Sequence, residues 1–180
     1  MPDSTVYSNK SGTNVYLADY AVMGNNDFFG SSQHYLRFRI NYVFKSYEQN
    51  VKSSVYVLTA LSKDSLAMPV EMLRMKDVWS STGINWNSKH PTHGKESATQ
   101  ISVPGRYEFD ITEFVKSCIK DDEWNTEVYG LAMTAADDSS GAKVIATNDN
   151  TFYQSYIRID FYDLPWTFEK LYGINPDSGF

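Results

Sequence analysis

The sequence predicts an all-β fold: a two-sheet antiparallel β-sandwich, jelly-roll-like, with one short α-helix. Three observations carry that prediction. Apolar and polar residues alternate over most of the chain, the period of a half-buried strand. Gly, Asn, Ser and Pro interrupt these runs at short intervals, as turns require. Aromatic residues reach 15%, led by 13 Tyr and 10 Phe, side chains that pack well on a pleated surface. One helical segment sits among the strands without a βαβ rhythm, which argues for packed antiparallel sheets over a doubly wound parallel one.

In chain order, strands are expected at 5–8, 14–22, 35–44, 53–61, 70–78, 106–110, 127–135, 143–147 and 154–162. The clearest is 35–44, where Leu36, Phe38, Ile40, Tyr42 and Phe44 share one face while Arg37, Arg39, Asn41 and Lys45 share the other. The helix follows 106–110, because Ile111, Phe114, Val115, Cys118 and Ile119 fall on one face at helical spacing. Asp110 and Glu113 have the spacing of a capping box, and Phe109 with Phe114 that of a hydrophobic staple.

A chain of 180 residues, 42% hydrophobic and 21% charged, reads as one domain, 1–163, able to bury a core without cross-links. The lone Cys118 excludes an intrachain disulfide. A net charge of -6 opposes nonspecific nucleic-acid binding, which needs a basic face. No apolar run is long enough to cross a bilayer, and the first residues lack the pattern of a signal peptide, so membrane insertion is not expected and any export signal lies outside this chain. After Tyr162 the alternation stops. Trp166, Phe168, Leu171 and Tyr172 are too apolar for a free linker, so 164–180 is expected to strap back on the sandwich or to form the junction to a following domain.

Several segments carry a family resemblance. Trp79 to Trp86, followed by Asn87 and Pro91, resembles the W-x-E-x-x-x-T-W-N-x-x-P stretch of the DNRLRE domain family, which overlaps carbohydrate-binding module family 96. The run from Tyr107 to Val115 is similar to that family's "fDvTelV" element, and the run from Val128 to Met133 to its "nyGlal" strand. Ala146-Thr147 through Phe161 is similar to its closing strand. Ile84, Ser80 or Ser81, and Cys118 depart from the pattern, mostly at packing positions. The resemblance implies a noncatalytic jelly-roll-like module of a secreted or surface-attached protein, in a family where some members bind polysaccharide, including acidic polymers. It sets an expectation for the fold and leaves the site to be argued from residues.

Alternation supplies the candidate ligand-binding residues. With Leu36, Leu73, Met75, Ile157 and Ile159 facing inward, Arg37, Arg39, Arg74, Lys76 and Arg158 face outward. On neighbouring strands these five would form a basic strip suited to uronate carboxylates. The competing reading is a solvated face on which Glu71, Asp77 and Asp160 neutralise them. Trp124, in a polar turn, is the candidate stacking platform for a sugar ring, with a lid on the helix end as its alternative. Trp79 and Trp86 read as a clasp that pins the loop after strand 70–78. His90 and His93 read as loop histidines without a carboxylate to complete a zinc site, and His34 with Tyr35 offers no cleft for acid–base chemistry. Asp137-Asp138-Ser139-Ser140-Gly141 and Asn148-Asp149-Asn150 gather oxygens that a structural Ca²⁺ could use, although the same residues are what tight turns demand.

Three functions compete on these observations. A carbohydrate-binding module with a polysaccharide or cell-surface glycan as partner ranks ahead of a structural spacer in a larger surface protein, and both rank ahead of a glycan-processing enzyme.

Overall fold

The computed structural model describes residues 3–37, 44, 47–62, 66–89, 92–120, 130–136 and 141–162. Among these described residues the chain forms eleven strands and one α-helix: β1 (Asp3–Tyr7), β2 (Asn14–Val15), β3 (Tyr20–Asn26), β4 (Gly30–Leu36), β5 (Val51–Ala60), β6 (Met68–Met75), β7 (Thr92–Ile101), β8 (Gly105–Asp110), α1 (Thr112–Lys120), β9 (Leu131–Ala135), β10 (Ala142–Ala146) and β11 (Tyr156–Phe161). All pairings among them are antiparallel.

The first sheet runs β2-β1-β4-β9-β6-β7. The second centres on β5, which has β8 along one edge and β10 and β11 along the other, with β3 beyond β10. The β3–β4 hairpin joins the two layers. On the far side β7 approaches β8, where Thr99 Oγ1 donates to the Glu108 carbonyl at 2.9 Å and nearly closes a barrel. The all-β sandwich expected from alternation is therefore the observed fold.

The main core lies between the sheets. Met23, Tyr56, Leu58, Phe109 and Ile145 from the second sheet meet Leu36, Met68, Val70, Met72, Leu131 and Met133 from the first. Helix α1 closes one end with Phe114, Val115, Cys118 and Ile119, the stripe predicted from its period. Asp110 Oδ1 accepts the Thr112 N–H at 2.9 Å, so the cap forms where expected. A second acid serves the same helix end: Glu96 on β7 reaches across and accepts the Phe114 N–H at 2.8 Å, while Glu113 pairs with Lys116.

Four expectations require correction. Strand 35–44 begins earlier, as β4, and shares only Tyr35 and Leu36 with the expected run; residues 38–43 lie outside the described residues. Strand 14–22 is two strands, broken at Leu17, whose φ of 56° turns the chain into a left-handed conformation that a branched side chain rarely takes. Strand 70–78 ends at Met75. Finally, β7 occupies a stretch read as loop, and His93 belongs to it, with its backbone opposite Arg74. His90, Pro91, the helix-end turn with Trp124, and 163–180, including the proposed junction, lie outside the described residues.

A second, smaller core lies on the outer side of the first sheet. Trp79 and Ile84, from the segment after β6, pack on Val6, Tyr35, Met75 and Ala132, and Trp86 leans on the same group. The Trp79 ring sits 5.5 Å from that of Tyr35. Lys89 lies over the Trp86 ring at 4.0 Å from its centroid. The two tryptophans thus hold the 76–89 segment against the sheet.

Candidate functional site

The predicted basic strip does not assemble. Arg37 follows β4 on the outer side of the first sheet, where it donates to the Trp79 carbonyl at 3.1 Å and lies over that ring. Arg74 turns towards the helix instead, because alternation along β6 is unbroken against β9 and gives Arg74 the parity of Val70 and Met72 in the main core, while Met75 packs in the second core on the outer side. There it donates through Nε to Glu96 at 2.6 Å and through Nη1 to Ser117 at 3.2 Å, above the Phe114 ring. It is an internal clamp, with the 8%-exposed Glu96 carboxylate shared between its guanidinium and the helix N-terminus. Lys76 is exposed beyond the end of β6. Arg158 is on the opposite sheet, facing solvent. Arg39 and Trp124 lie outside the described residues. Three arginines expected on one face therefore occupy three different places.

The outer face of the second sheet carries a different constellation. On β11, Ile157, Ile159 and Phe161 pack inward, so Tyr156, Arg158 and Asp160 point out. On β8, Phe109 is inward, and Arg106, Glu108 and Asp110 are exposed. On β3, Ala21 and Met23 are inward and Tyr20 is exposed. Tyr156 pairs with Val57, and Ile145 with Ala60, which sets Ala146 level with Thr59. Tyr20 is the partner of Ala146 on the next strand. Tyr20 and Tyr156 consequently stand on one face, flanking an alanine, with Cα atoms roughly 8 Å apart on ordinary strand spacings. Both rings are accessible, at 49% and 40%. Val22 and Val144 extend the apolar surface below them.

Charges fringe this patch. Arg158 is 48% exposed, two residues from Tyr156 on the same face; it meets Glu108 at 3.2 Å and Asp160 at 3.6 Å. Ser53 donates to Asp160 at 3.1 Å. Planar rings beside polar side chains suit a ligand with an apolar face and a hydroxylated rim.

One loop rises beside the patch. Strands β10 and β11 run along the same edge of β5, so the chain leaves that edge at Ala146 and rejoins it two residues further along, at Tyr156. The excursion between them is built on polar groups turned inward. Asn148 donates its backbone N–H to the buried Asp3 carboxylate at 2.9 Å, and the Thr147 N–H meets the Asp19 carbonyl at 3.1 Å. Asn150 Nδ2 donates to that same carbonyl at 3.1 Å, while Asn150 Oδ1 accepts the N–H groups of Phe152 and Tyr153 at 3.0 and 2.8 Å. Thr147 Oγ1 also donates to the Ala18 carbonyl. With its polar groups spent at the base, the loop leaves Phe152 85% exposed and Tyr153 half exposed at its tip. Asn148 to Asn150 are thus turn residues in their bonding. Asp137 to Ser140 lie outside the described residues, and among the described residues no three His, Cys, Asp or Glu side chains converge to hold a metal ion. A chelator is expected to leave the melting temperature unchanged; a drop on adding EDTA, reversed by Ca²⁺, would show that a cation is part of the fold.

Below the loop, Asp3, Thr5 and His34 share the inward side of β1 and β4. Thr5 Oγ1 and His34 Nδ1 are 2.8 Å apart, and His34 Nε2 has no partner among the described residues. Burial holds the imidazole below its usual range, partly opposed by Asp3. His34 faces away from Tyr35, which packs under Trp79, so the pair forms no acid–base couple.

A polar cavity of about 300 Å³ lies elsewhere, between Gly12-Thr13-Asn14 and Thr82-Gly83-Ile84-Asn85 beside the 76–89 segment. Two of its side chains are engaged with neighbouring backbone: Asn14 donates to the Ser81 carbonyl at 2.7 Å, and Asn85 Oδ1 accepts the N–H groups of Asn87 and Ser88.

A β-sandwich with exposed aromatic rings on one sheet face has the form of a binding module. The family model of carbohydrate-binding module family 96 matches residues 1–157, and the chain belongs to that family. Such families are generally noncatalytic. Among curated proteins, none matches the chain. Of the residues that make up the exposed face, sequence reasoning named Arg158 as a ligand residue and Asp160 as an acid that neutralises it. The same parity that turns Arg158 outward also turns Tyr156 outward, and that signal was available. Tyr20 and the loop were not legible, because neither the break at Leu17 nor the collinearity of β10 and β11 leaves a mark in the alternation.

Proposed function

We propose that this carbohydrate-binding module holds a polysaccharide on the outer face of its second sheet, with Tyr20 and Tyr156 as stacking platforms and Arg158 as the cation that receives a uronate carboxylate. It does so without catalysis, as part of a secreted or cell-surface protein. The observation that carries the reading is the pair of exposed tyrosines on one flat sheet face, fringed by hydrogen-bonding side chains. Among the described residues no helix is long and apolar enough to cross a membrane. That leaves the localisation to rest on what is common among carbohydrate-binding modules, which act mostly outside the cell.

Arg158 is the reason to favour acidic polymers. It is the half-exposed guanidinium beside a platform, and its contact with Asp160 is loose at 3.6 Å. The acids that flank it keep the electrostatic contribution small, on the scale of an exposed ion pair, about 1 kcal/mol or less.

A glycan array of acidic and neutral polymers, followed by titration calorimetry on the hits, tests the reading. Tyr20→Ala and Tyr156→Ala should each weaken binding roughly tenfold, about 1.4 kcal/mol. Arg158→Gln should cost up to about fivefold, and only for uronate polymers. Binding that all three variants leave intact would remove this face from consideration. No binding to any polymer would favour a structural spacer.

A further inference from the structure

We infer that the ligand is an internal stretch of a linear polysaccharide, lying along the strands of the second sheet and spanning about five sugar rings. The inference rests on the reading that this face binds glycan, and it specifies which part of the polymer is bound and in which direction.

Three features of the face carry it. The first is its shape. Tyr20, Tyr156, Arg158 and Asp160 are all exposed on regular strands, so the face is open along this line. A chain terminus is recognised by enclosing it, whereas an open face gives equal access to ring after ring.

The second is direction. The exposed apolar and hydrogen-bonding groups follow the strands: Val144, Tyr20 beside Ala146, Tyr156, Arg158, then Asp160. Val144 lies at the level of Leu61, whose N–H donates to its carbonyl at 2.9 Å, and Asp160 is opposite Ser53. That interval is eight residues of β5, or about 26 Å at ~3.3 Å per residue, against a pyranose repeat of roughly 5 Å. Across the strands the surface is shorter. From β8 through β5 and β10 to β3 it is three strand spacings, about 14 Å, enough for roughly three rings.

The third is the loop after β10. Its base is fixed by Asp3 and Asp19 and its polar side chains are internally bonded, so it presents Phe152 and Tyr153 to solvent, Tyr153 three residues before Tyr156, from a pre-organised turn. Rigid aromatic side chains on a pre-organised loop contribute contact area at low ordering cost.

Length and end chemistry decide the matter. The intact protein is titrated with size-fractionated di-, tri-, tetra-, penta- and hexa-uronides from polygalacturonate and alginate, and with matching cello- and xylo-oligosaccharides, each also with its reducing end converted to the alditol. Affinity should climb at least tenfold between the trimer and the pentamer and then level off, with reduced and unreduced hexamers within about twofold of each other. Phe152→Ala should weaken pentamer binding severalfold and leave dimer binding nearly unchanged. A plateau already at the trimer overturns the orientation along the strands. A loss of affinity on reducing the end overturns internal binding. Absence of binding to every oligomer and parent polymer overturns the functional reading itself, and that outcome is separate from the other two.

Discussion

Trp79→Ala should destabilise the protein by about 4 kcal/mol while leaving the glycan affinity of the folded fraction unchanged. Trp79 is 2% exposed and fills the second core on the outer side of the first sheet, against Val6, Tyr35, Met75, Ile84 and Ala132. Truncating a buried tryptophan removes its transfer free energy and leaves a cavity, a combined loss of about 3–5 kcal/mol. The Trp79 ring is also the surface over which Arg37 lies, at 5.8 Å from its centroid, and the backbone carbonyl of Trp79 holds that guanidinium, so loosening the loop frees both. Folded domains have only about 5–15 kcal/mol in hand, so the expected loss is a large share. Urea denaturation gives the free energy, and calorimetry below the transition gives the affinity. Loss of affinity in the folded protein, with stability retained, would make the tryptophan a binding platform. A loss near 1 kcal/mol would mean that the loop contributes little to the fold.

The two tryptophans were legible from sequence because their spacing, size and turn context all favour one loop anchored at two points. The sandwich was legible for a similar reason: apolar side chains report the inward face wherever burial is driven by the hydrophobic effect. Where burial is driven by hydrogen bonding, that signal disappears. In β4 the inward positions include Ser32, which accepts the Gly24 N–H at 2.8 Å, and His34, bonded to Thr5. In β1 the buried residues include Asp3, Ser4 and Thr5. The expected runs 5–8 and 35–44 therefore miss the first residues of β1 and of β4, where the inward side chains are polar and satisfied by specific partners. Strand β7 was missed for a related reason. It pairs only with β6, its sequence is polar almost throughout, and its Glu96 serves as a helix cap and an arginine partner in place of an apolar contact.

The misplaced basic strip has a different origin. Parity along β6 is kept, but Met75 is buried in the second core on the outer side, so reading it as the inward face reversed the strand: Val70, Met72 and Arg74 are the residues on the main-core side. Once Arg74 is withdrawn, the cations of an acidic protein no longer define a shared surface. The aromatic rings of the other sheet do, because their strands keep register from Val144 to Asp160. The proposed site is thus a property of pairing between strands distant in sequence.

That loop hangs on a buried polar group, and its stability should depend on pH. His34 is fully buried and held below its ordinary value of 6.5 by desolvation, and Asp3 is the charge that opposes this. Its folded pKa is lower than its unfolded one, so at pH values below about 6.5 the unfolded chain binds the extra proton and the folded chain does not. Stability therefore falls as the pH drops through that value, by up to about 1.4 kcal/mol per pH unit for one proton, until the folded state also takes it up. Asp149 acts in the opposite sense. Its carboxyl is raised, first by partial burial and then by Asp3 and Asp19, so protonating it relieves the folded state and flattens the profile at more acidic pH. Near pH 6 the histidine dominates. Denaturation midpoints measured from pH 8 to pH 5 should show the decline, and His34→Gln, whose amide can still meet Thr5 but does not titrate, should remove most of it. An identical slope in the variant would assign the acid sensitivity elsewhere in the chain. In the wild type, tryptic cleavage within the exposed loop 147–155 is not the reporter to use, since that segment contains no Lys or Arg; hydrogen exchange at Asn148, whose N–H rests on Asp3, reads the same opening directly.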